Sequence, residues 1–431
     1  MHTITASLPL TAAGLRQLAL DCGADDAGCI TLDRVEIADQ RADIVRCFPP
    51  ARTLLSLVCR MNREPIRGVN RSVANAEFHE TNGQVSLVAR AVVTALERLG
   101  VRALNPPPGF PMEAENWGGK MWIVGHKPVA VAAGLGQMGI HRNVIHPRFG
   151  SFILLGTVLI GAELAEEGAP LDYNPCLGCK LCVAACPVGA IGTDGAFDFS
   201  ACYHHNYREF MGGFGDWVEH VVESRNRADY RKRVTATETV SLWQSLGFGP
   251  NYKAAYCVAV CPAGEDVVAA YWENKVAHTR EIVKPLQEKV EPVYVVAGSD
   301  AEVHVRKRYP HKRVRPVRNS LQPRTVRDFF RGMPLGFQRG LSAGVAATLH
   351  FRLHESPGAA PAEATVVIRE QKLTVRDGLE GSADVTVTAE AGTWLEFLRG
   401  ERGIFGALLS RRIRVRGSIA KLRAFGRCFP K

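Results

Sequence analysis

The chain has 431 residues, too many for one hydrophobic core, so two or three domains are expected. Its formal net charge is +10, which favours anionic partners. The apolar run at 151–162 is too short to cross a bilayer and the first residues show no signal-peptide pattern, so we expect a cytoplasmic protein.

The first 165 residues alternate helix and strand signals. Apolar runs at 54–58 and 151–160 predict strands, and apolar residues spaced three and four apart over 85–99 predict an amphipathic helix. The Pro- and Gly-rich stretch at 105–120 is typical of a loop that covers an active site. Residues 1–165 are therefore predicted to form an α/β domain that binds a cofactor.

Within this domain, GLGQMG at 134–139 formally matches the dinucleotide pattern G-x-G-x-x-G. The residues after it contain Pro147 and no helical apolar stripe, so a Rossmann fold is not favoured. The stretch 116–162 has no Asp or Glu and includes Lys127 and Arg142. Such a glycine turn suits an anionic, phosphate-bearing cofactor, with a nucleic-acid groove or chance composition as the alternatives.

At 176–187 the chain reads CLGCKLCVAACP, the C-x2-C-x2-C-x3-C-P run of bacterial ferredoxins. In two-cluster ferredoxins the last Cys of such a run ligates the other cluster. The downstream run ends in Cys257 and Cys261, so crossed ligation gives the first 4Fe–4S cluster four thiols. They are Cys176, Cys179, Cys182 and Cys261. A structural zinc site is the alternative, but zinc favours two separated C-x2-C pairs.

The second set of ligands is incomplete. Crossed ligation leaves it three thiols, those of Cys186, Cys202 and Cys257. Ala254 stands where a complete downstream run has its first Cys. The second cluster is then either 3Fe–4S or 4Fe–4S with a non-Cys ligand. The candidates for that ligand are His204, His205 and Tyr256. Residues 166–275 are predicted to form this ferredoxin-like two-cluster domain.

Residues 276–318 are expected to be a connecting segment and basic linker. Ten Lys and Arg side chains fall in 304–331 against one acid, and a second basic strip follows at 411–416. Such strips attract nucleic acid, anionic lipid or an acidic protein, and a solvated linker is the alternative.

The last unit, 319–431, is predicted to be an α+β domain. Its predicted elements are a helix at 325–337, strands at 349–353, 366–368 and 373–375, a segment 384–388 that leads into a helix around Trp394, and, after the segment RRIRVRGS, a last helix at 419–425.

Three features follow one another along the chain: an α/β domain, the segment AGLGQMGIHRNVIHPRFGSFILLGTVL at 133–159 and the cluster run. This order resembles the epoxyqueuosine reductase and reductive dehalogenase superfamily over about 10–270. The resemblance implies a corrinoid such as cobalamin in the first domain, fed with electrons by two 4Fe–4S clusters. It also implies a set of residues near that cofactor: Gly134, Gly136, Gly139, His141, Arg142 and Asn143, with Lys127 beside them.

The chain departs from that family at two places. Ala254 lacks the thiol, and the catalytic Asp that epoxyqueuosine reductases carry upstream of the glycine turn is absent from MWIVGHKPVAVAAG. His126 is therefore the expected catalytic proton donor, and tRNA-linked epoxyqueuosine is not the expected substrate.

The segments TVTAEAGTWLEFL and IRVRGS resemble the sterol carrier protein fold, in which a curved five-stranded sheet and helices enclose an apolar tunnel for lipids. The resemblance implies aromatic side chains that line the tunnel. The expected lining residues are Phe330, Phe337, Trp394 and Phe397.

These features together predict an iron–sulfur oxidoreductase. An external donor of the ferredoxin or flavodoxin type would pass electrons through two clusters to a bound cofactor and an apolar or lipid-like substrate. An anionic membrane surface is a further expected partner, and nucleic acid is not. The alternative is a non-enzymatic iron–sulfur electron carrier with a lipid-binding domain.

Overall fold

The computed structural model describes residues 10–113, 122–356 and 358–430. The predicted loop at 105–120 lies partly outside these residues. Within them, no helix combines the length and the apolar character needed to span a bilayer.

The N-terminal region is a sheet covered on both faces by helices. Its strands are β1 (Asp26–Thr31), β2 (Thr53–Arg60), β3 (Ala103–Leu104) and β6 (Ile153–Ile160), and a separate short hairpin consists of β4 (Gln137–Met138) and β5 (Val144–Ile145). Its helices are α1 (Ala12–Asp21), α2 (Arg41–Cys47), α3 (Arg63–Arg67), α4 (Arg71–Arg98) and α5 (His126–Ala132).

The main sheet has the order β1-β2-β6-β3, and every neighbouring pair is antiparallel. Helices α1 and α4 pack on one face and α2 and α5 on the other, so β2 is buried along nearly its whole length. This accounts for the continuous apolar run that predicted the strand. Helix α4 begins well before the predicted 85–99, because its first half packs Phe78 against the iron–sulfur region.

The middle region is mostly helical. Its helices are α6 (Leu181–Ala185), α7 (Phe199–Asn206), α8 (Gly213–Glu223), α9 (Arg227–Arg233), α10 (Ala236–Phe248), α11 (Tyr256–Ala259), α12 (Glu265–Glu273), α13 (Lys275–His278) and α14 (Lys284–Glu288). Helices α8, α9 and α10 form an insertion between Cys202 and Cys257.

The basic segment predicted as a linker is folded. Strand β7 (Pro292–Val296), helix α15 (Asp300–Arg308) and strand β8 (Arg313–Val317) form a β-α-β unit with a parallel strand pair. Three of its cations are paired with acids: Lys312 is buried 2.8 Å from Glu291, Arg315 lies 2.5 Å from Glu238, and Arg306 lies 2.7 Å from Glu302. The expectation of a solvated linker is therefore wrong for 292–317, because alternating valines provide a buried face between the charges.

The C-terminal region has the predicted order of elements. They are α16 (Val326–Gly336), β9 (Ala347–His354), β10 (Ala362–Arg369), β11 (Lys372–Asp377), β12 (Val385–Glu390), α17 (Ala391–Leu398), α18 (Ile404–Leu409), β13 (Ile413–Gly417) and α19 (Ile419–Arg427). The sheet order is β11-β10-β9-β12-β13, with only the β9–β12 pair parallel among these strands. Phe329, Phe330, Phe351, Trp394 and Phe425 pack in its core.

This C-terminal unit lies against helix α7. The backbone N–H of Ser320 donates to His204 Nε2 at 3.0 Å, and the side chain of Gln338 donates to Asp198 at 3.3 Å. Gln338 is buried and also accepts from the backbone of Asp300 at 3.0 Å. The lipid-type domain therefore contacts the helix that carries Cys202.

Candidate metal centre

The first group of thiols surrounds one cavity. Cys176, Cys179, Cys182 and Cys261 line it together with Ile140 and His141. The backbone N–H of Ile140 lies 3.4 Å from Cys176 Sγ. Among the described residues, no three His, Cys, Asp or Glu side chains converge closely enough for a single metal ion. Thiols spread around a cavity instead suit a multi-iron cluster, and their grouping is the one that crossed ligation predicts.

The second group contains the three remaining cysteines of the two runs. Burial raises the pKa of the Cys202 thiol well above its ordinary value, and the neighbouring Cys257 and Cys186 act in the same direction. Burial likewise raises the pKa of Cys257 to about 12. Three buried thiols that oppose one another's ionisation need a strongly cationic partner to become thiolates, and iron provides one.

The backbone shows where the missing ligand would be. Cys179 is followed by Lys180 in the left-handed conformation, with φ 55° and ψ 18°. Ala254 is followed by Ala255 in the same conformation, with φ 53° and ψ 25°. Left-handed backbone is uncommon for residues other than glycine, so its occurrence at both positions indicates the same ligand-bearing turn. Ala254 therefore occupies the structural position of Cys179.

The three proposed replacement ligands have other partners. His204 bonds Ser200 O through Nδ1 at 2.8 Å and accepts from Ser320 through Nε2. The hydroxyl of Tyr256 donates to Glu291 at 2.7 Å. His205 Nδ1 accepts from Tyr294, whereas its Nε2 is buried without a hydrogen-bond partner among the described residues.

Asn206 is a residue that the sequence reasoning missed. Its side-chain oxygen accepts the backbone N–H of Ala254 at 3.1 Å and of Ala255 at 2.8 Å. It therefore fixes the incomplete turn against the end of α7, next to Cys202. The only signal in the sequence was a polar residue that ends a short helix after two histidines.

Lys127 lies beside the second group. Its ammonium donates to the backbone oxygen of Arg142 at 2.7 Å and to Asn143 Oδ1 at 3.0 Å. Burial lowers the pKa of Lys127, and the nearby Cys257 and Cys202 act in the opposite direction. Lys127 and Asn143 are thus brought together near the thiols, whereas the Arg142 side chain is exposed and reaches Gly195 O at 3.3 Å.

His141 lies beside the first group. Its Nδ1 accepts the backbone N–H of Asn143 at 3.1 Å, so Nε2 carries the proton of the neutral ring. That Nε2 is buried without a hydrogen-bond partner among the described residues. Burial lowers the pKa of His141 to about 4, which keeps the ring neutral. The side chain therefore offers one N–H to the cavity that the four thiols line.

Replacing His141 by Ala is expected to lower the midpoint potential of the first cluster, because an N–H donor stabilises the more negative, reduced state. The expected shift is on the order of 50 mV, close to the 59 mV that corresponds to a tenfold change for one electron. Anaerobic redox titration followed by electron paramagnetic resonance measures it. The matched variant His141→Gln keeps an N–H donor and should restore part of the potential. An unchanged potential in His141→Ala would contradict this role.

The other predicted cofactor residues are engaged by the protein itself. His126 Nδ1 lies 2.8 Å from Thr157 Oγ1, and Nε2 lies 3.2 Å from Pro107 O. Burial lowers the pKa of His126 to about 4. A Cβ on Gly134 would come within 2.5 Å of Ala169 O, and one on Gly136 within 2.4 Å of Ile145 O. These glycines allow the chain to pack against itself, and Gly139 likewise faces Ile145 and His141. Their cofactor role stays a prediction.

The predicted lipid-binding residues lie in or against one aromatic core. Phe330 and Trp394 are buried, and Phe337 and Phe397 pack at its edge. The Trp394 and Phe351 ring centroids lie 5.7 Å apart. Trp394 Nε1 is buried without a hydrogen-bond partner among the described residues. Phe351 and Phe425 belong to the same core but were not predicted, because alternation along a strand does not show which aromatic rings meet.

The grouping of the thiols is typical of a ferredoxin-type iron–sulfur site, and two family models match parts of the chain. The 4Fe-4S binding domain matches residues 169–192, and the SCP-2 sterol transfer family matches residues 338–430. The epoxyqueuosine reductase of Gloeobacter violaceus is 25% identical over 173 residues, which cover 38% of this chain and 50% of that protein. That of Cellulophaga algicola is 30% identical over 100 residues, covering 21% and 32%. The chain thus spans half or less of these relatives.

The solved structures that match parts of the chain have low TM-scores. An epoxyqueuosine reductase with a tRNA-Tyr epoxyqueuosine-modified tRNA stem loop has 15% identity and a TM-score of 0.31, covering 44% of this chain and 56% of that chain. The reductive dehalogenase NpRdhA has 15% identity and a TM-score of 0.39, covering 63% and 35%. The sterol carrier protein domain 2 of Helicoverpa armigera has 19% identity and a TM-score of 0.19, covering 20% and 68%.

The predicted fusion is confirmed by the sequence relatives and the family models. The chain resembles epoxyqueuosine reductases over part of its length, matches the 4Fe-4S binding domain and carries an SCP-2 domain after that match.

Proposed function

We propose that this protein is an iron–sulfur reductase with two adjacent clusters. The observation that carries the proposal is the crossed grouping of the thiols: Cys261 joins the first run, and Cys186 joins Cys202 and Cys257. Each cysteine run then supplies thiols to both groups, so the two groups lie side by side. An external donor of the ferredoxin or flavodoxin type reduces the first cluster, and the electron passes to the second.

Two nitrogen groups support reduction of these clusters. His141 offers an uncharged N–H at the first group, and the Lys127 ammonium adds positive charge at the second. Both favour the more negative, reduced state of a cluster. Ala254 leaves one corner of the second cluster without a thiolate, and we propose a 3Fe–4S cluster there.

A corrinoid would supply a cobalt that accepts electrons from the second cluster. The residues that the family resemblance assigns to it do not form an open cradle here, because Gly134 and Gly136 contact backbone oxygens and both nitrogens of His126 have partners. The part of the proposed electron path that runs through the chain's own ligands therefore ends at the second cluster.

We further propose that the SCP-2 domain presents an apolar acceptor. The domain rests on α7, which carries Cys202, through the Ser320–His204 and Gln338–Asp198 hydrogen bonds. Its aromatic core contains the unpaired indole N–H of Trp394, which suits an apolar molecule with one hydrogen-bond acceptor such as a carbonyl. A long-chain quinone has this chemistry and accepts electrons.

Dithionite-reduced holoprotein is expected to be reoxidised by a long-chain quinone at least about tenfold faster than by a short-chain quinone of equal potential, because each buried CH2 contributes roughly 0.8 kcal/mol. Anaerobic stopped-flow absorbance of the clusters measures both rates. Trp394→Phe keeps the ring packing but removes the N–H and should slow only the long-chain reaction. Equal rates for both quinones would instead favour the non-enzymatic electron carrier.

Two further candidates, a corrinoid as acceptor and RNA as partner, are tested with the same holoprotein. Hydroxocobalamin tests the corrinoid, with formation of a stoichiometric complex as the readout. A tRNA gel shift tests RNA, since an epoxyqueuosine reductase has been captured with a tRNA stem loop.

A further inference from the structure

The helical insertion between Cys202 and Cys257 exposes apolar side chains. In α10, residues 239–248 contain no charged residue. Leu242 and Ser245 of this helix face inward and are buried. The opposite side of the helix therefore consists of uncharged residues that stay exposed in the described part of the chain.

Four of these residues form what we call the α10 face: Val240, Trp243, Leu246 and Phe248. The exposed fractions are 65% for Trp243, 71% for Leu246 and 76% for Phe248. Val240, Trp243 and Leu246 follow one another at intervals of three, so they lie along one side of the helix. The Trp243 and Phe248 ring centroids lie 6.3 Å apart. Exposed aromatic and aliphatic side chains grouped in this way mark an interaction surface.

The helix that precedes the α10 face is cationic. In α9, Arg233 pairs with Glu223 and Asp229. Arg227, Arg231 and Lys232 are exposed and have no ion pair among the described residues. The Tyr230 hydroxyl lies 3.0 Å from Thr239 Oγ1, which fixes α9 against the first turn of α10. Unpaired cations thus lie on the helix that is bonded to the start of α10.

We propose that the α10 face docks on an anionic lipid bilayer. Trp, Phe and Leu side chains insert at the boundary between headgroups and acyl chains, and neighbouring Lys and Arg attract anionic headgroups. A protein partner would need acidic side chains opposite the cations of α9, but no feature of the chain requires such a partner.

Docking on a bilayer extends the proposed function, and the purpose of the docking rests on that proposed function. An SCP-2 domain that presents an apolar acceptor needs a source of that acceptor, and a bilayer is the phase in which such molecules dissolve. Vesicle binding is measured without any acceptor, so its failure would leave the reductase proposal intact.

The full-length holoprotein is expected to co-sediment with vesicles of phosphatidylcholine and phosphatidylserine, and at least about tenfold less with phosphatidylcholine alone. The double variant Trp243→Gln with Leu246→Gln should lose at least about tenfold in binding to the anionic vesicles, since both side chains would otherwise enter the interface. Replacing Arg227, Arg231 and Lys232 by Gln should weaken binding at low salt and reduce its salt dependence.

Leu409→Gln serves as the matched control, because Leu409 is 87% exposed beside the second basic strip. It should bind vesicles like the parent chain, and all variants should keep their iron content. Equal binding by the Trp243/Leu246 variant, or lost binding in Leu409→Gln, would overturn the proposal. So would a parent chain that sediments as a dimer that the Trp243/Leu246 variant converts to a monomer, because a second copy would then cover the α10 face.

Discussion

Cys179→Ala protein, purified anaerobically, is expected to keep only about three to four of the roughly seven to eight irons that the parent chain holds. Cys179 lines the first cavity with three other thiols, and loss of one thiolate exposes a cluster corner to solvent. The whole first cluster should therefore be lost. Iron and acid-labile sulfide analysis per chain measures the effect, together with the visible absorbance of the clusters.

Cys29→Ala is the matched control for that experiment. Cys29 is buried on strand β1 against α1 and α4, in a core cluster that contains none of the seven cysteines of the two groups. Burial raises the pKa of its thiol to about 12, so it is an inert apolar side chain. This variant should keep its full iron content. One or two zinc ions per chain without labile sulfide in the parent protein would refute the cluster assignment altogether.

Ala254→Cys is expected to convert the second cluster from 3Fe–4S to 4Fe–4S. Ala254 precedes a left-handed residue as Cys179 does, and Asn206 holds the turn in place, so a thiol there would point as its counterpart does. The oxidised parent chain should show the near-isotropic paramagnetic signal of a three-iron cluster. The variant should lose that signal and gain about one iron per chain.

Ala254→Ser separates ligand chemistry from size, because it adds one atom but no thiolate. It should retain the three-iron signal. A parent chain that already gives a four-iron signal would mean that a nitrogen or oxygen side chain completes the cluster. His205→Ala and Lys127→Met are then the decisive variants, since His205 Nε2 is unpaired and the Lys127 ammonium lies beside the thiols.

The cysteine spacing was sufficient to predict how the thiols group. Three thiols within seven residues, from the loop before α6 and the start of that helix, lie close together, and this closeness limits what they can bind. The C-terminal elements were also predictable, because a half-buried strand shows its alternation and a surface helix its stripe. The antiparallel pairing of β10 and β11 around Glu370 and Gln371 follows the same local logic.

The basic segment shows where local reasoning fails. The cations of this segment were expected to be solvated because charge can be counted along a chain, whereas several of the acids that pair with them come from distant parts of the sequence. Glu238 belongs to α10, and Glu219 and Glu223 belong to α8. Only the folded chain brings these acids to Arg315 and Arg318, so no local sequence pattern predicted that these two side chains are paired.

The sequence by itself therefore predicted the chemistry: seven thiols in two crossed runs, the gap at Ala254 and the order of the C-terminal elements. The tertiary structure decided which other side chains accompany that chemistry. In the folded chain, His204 and Tyr256 bond to other partners. Both nitrogens of His126 also have partners, whereas Lys127 and His141 lie beside the thiols. The physical reason is that thiol spacing is fixed by a few consecutive bonds, whereas hydrogen bonding and burial depend on segments far apart in the chain.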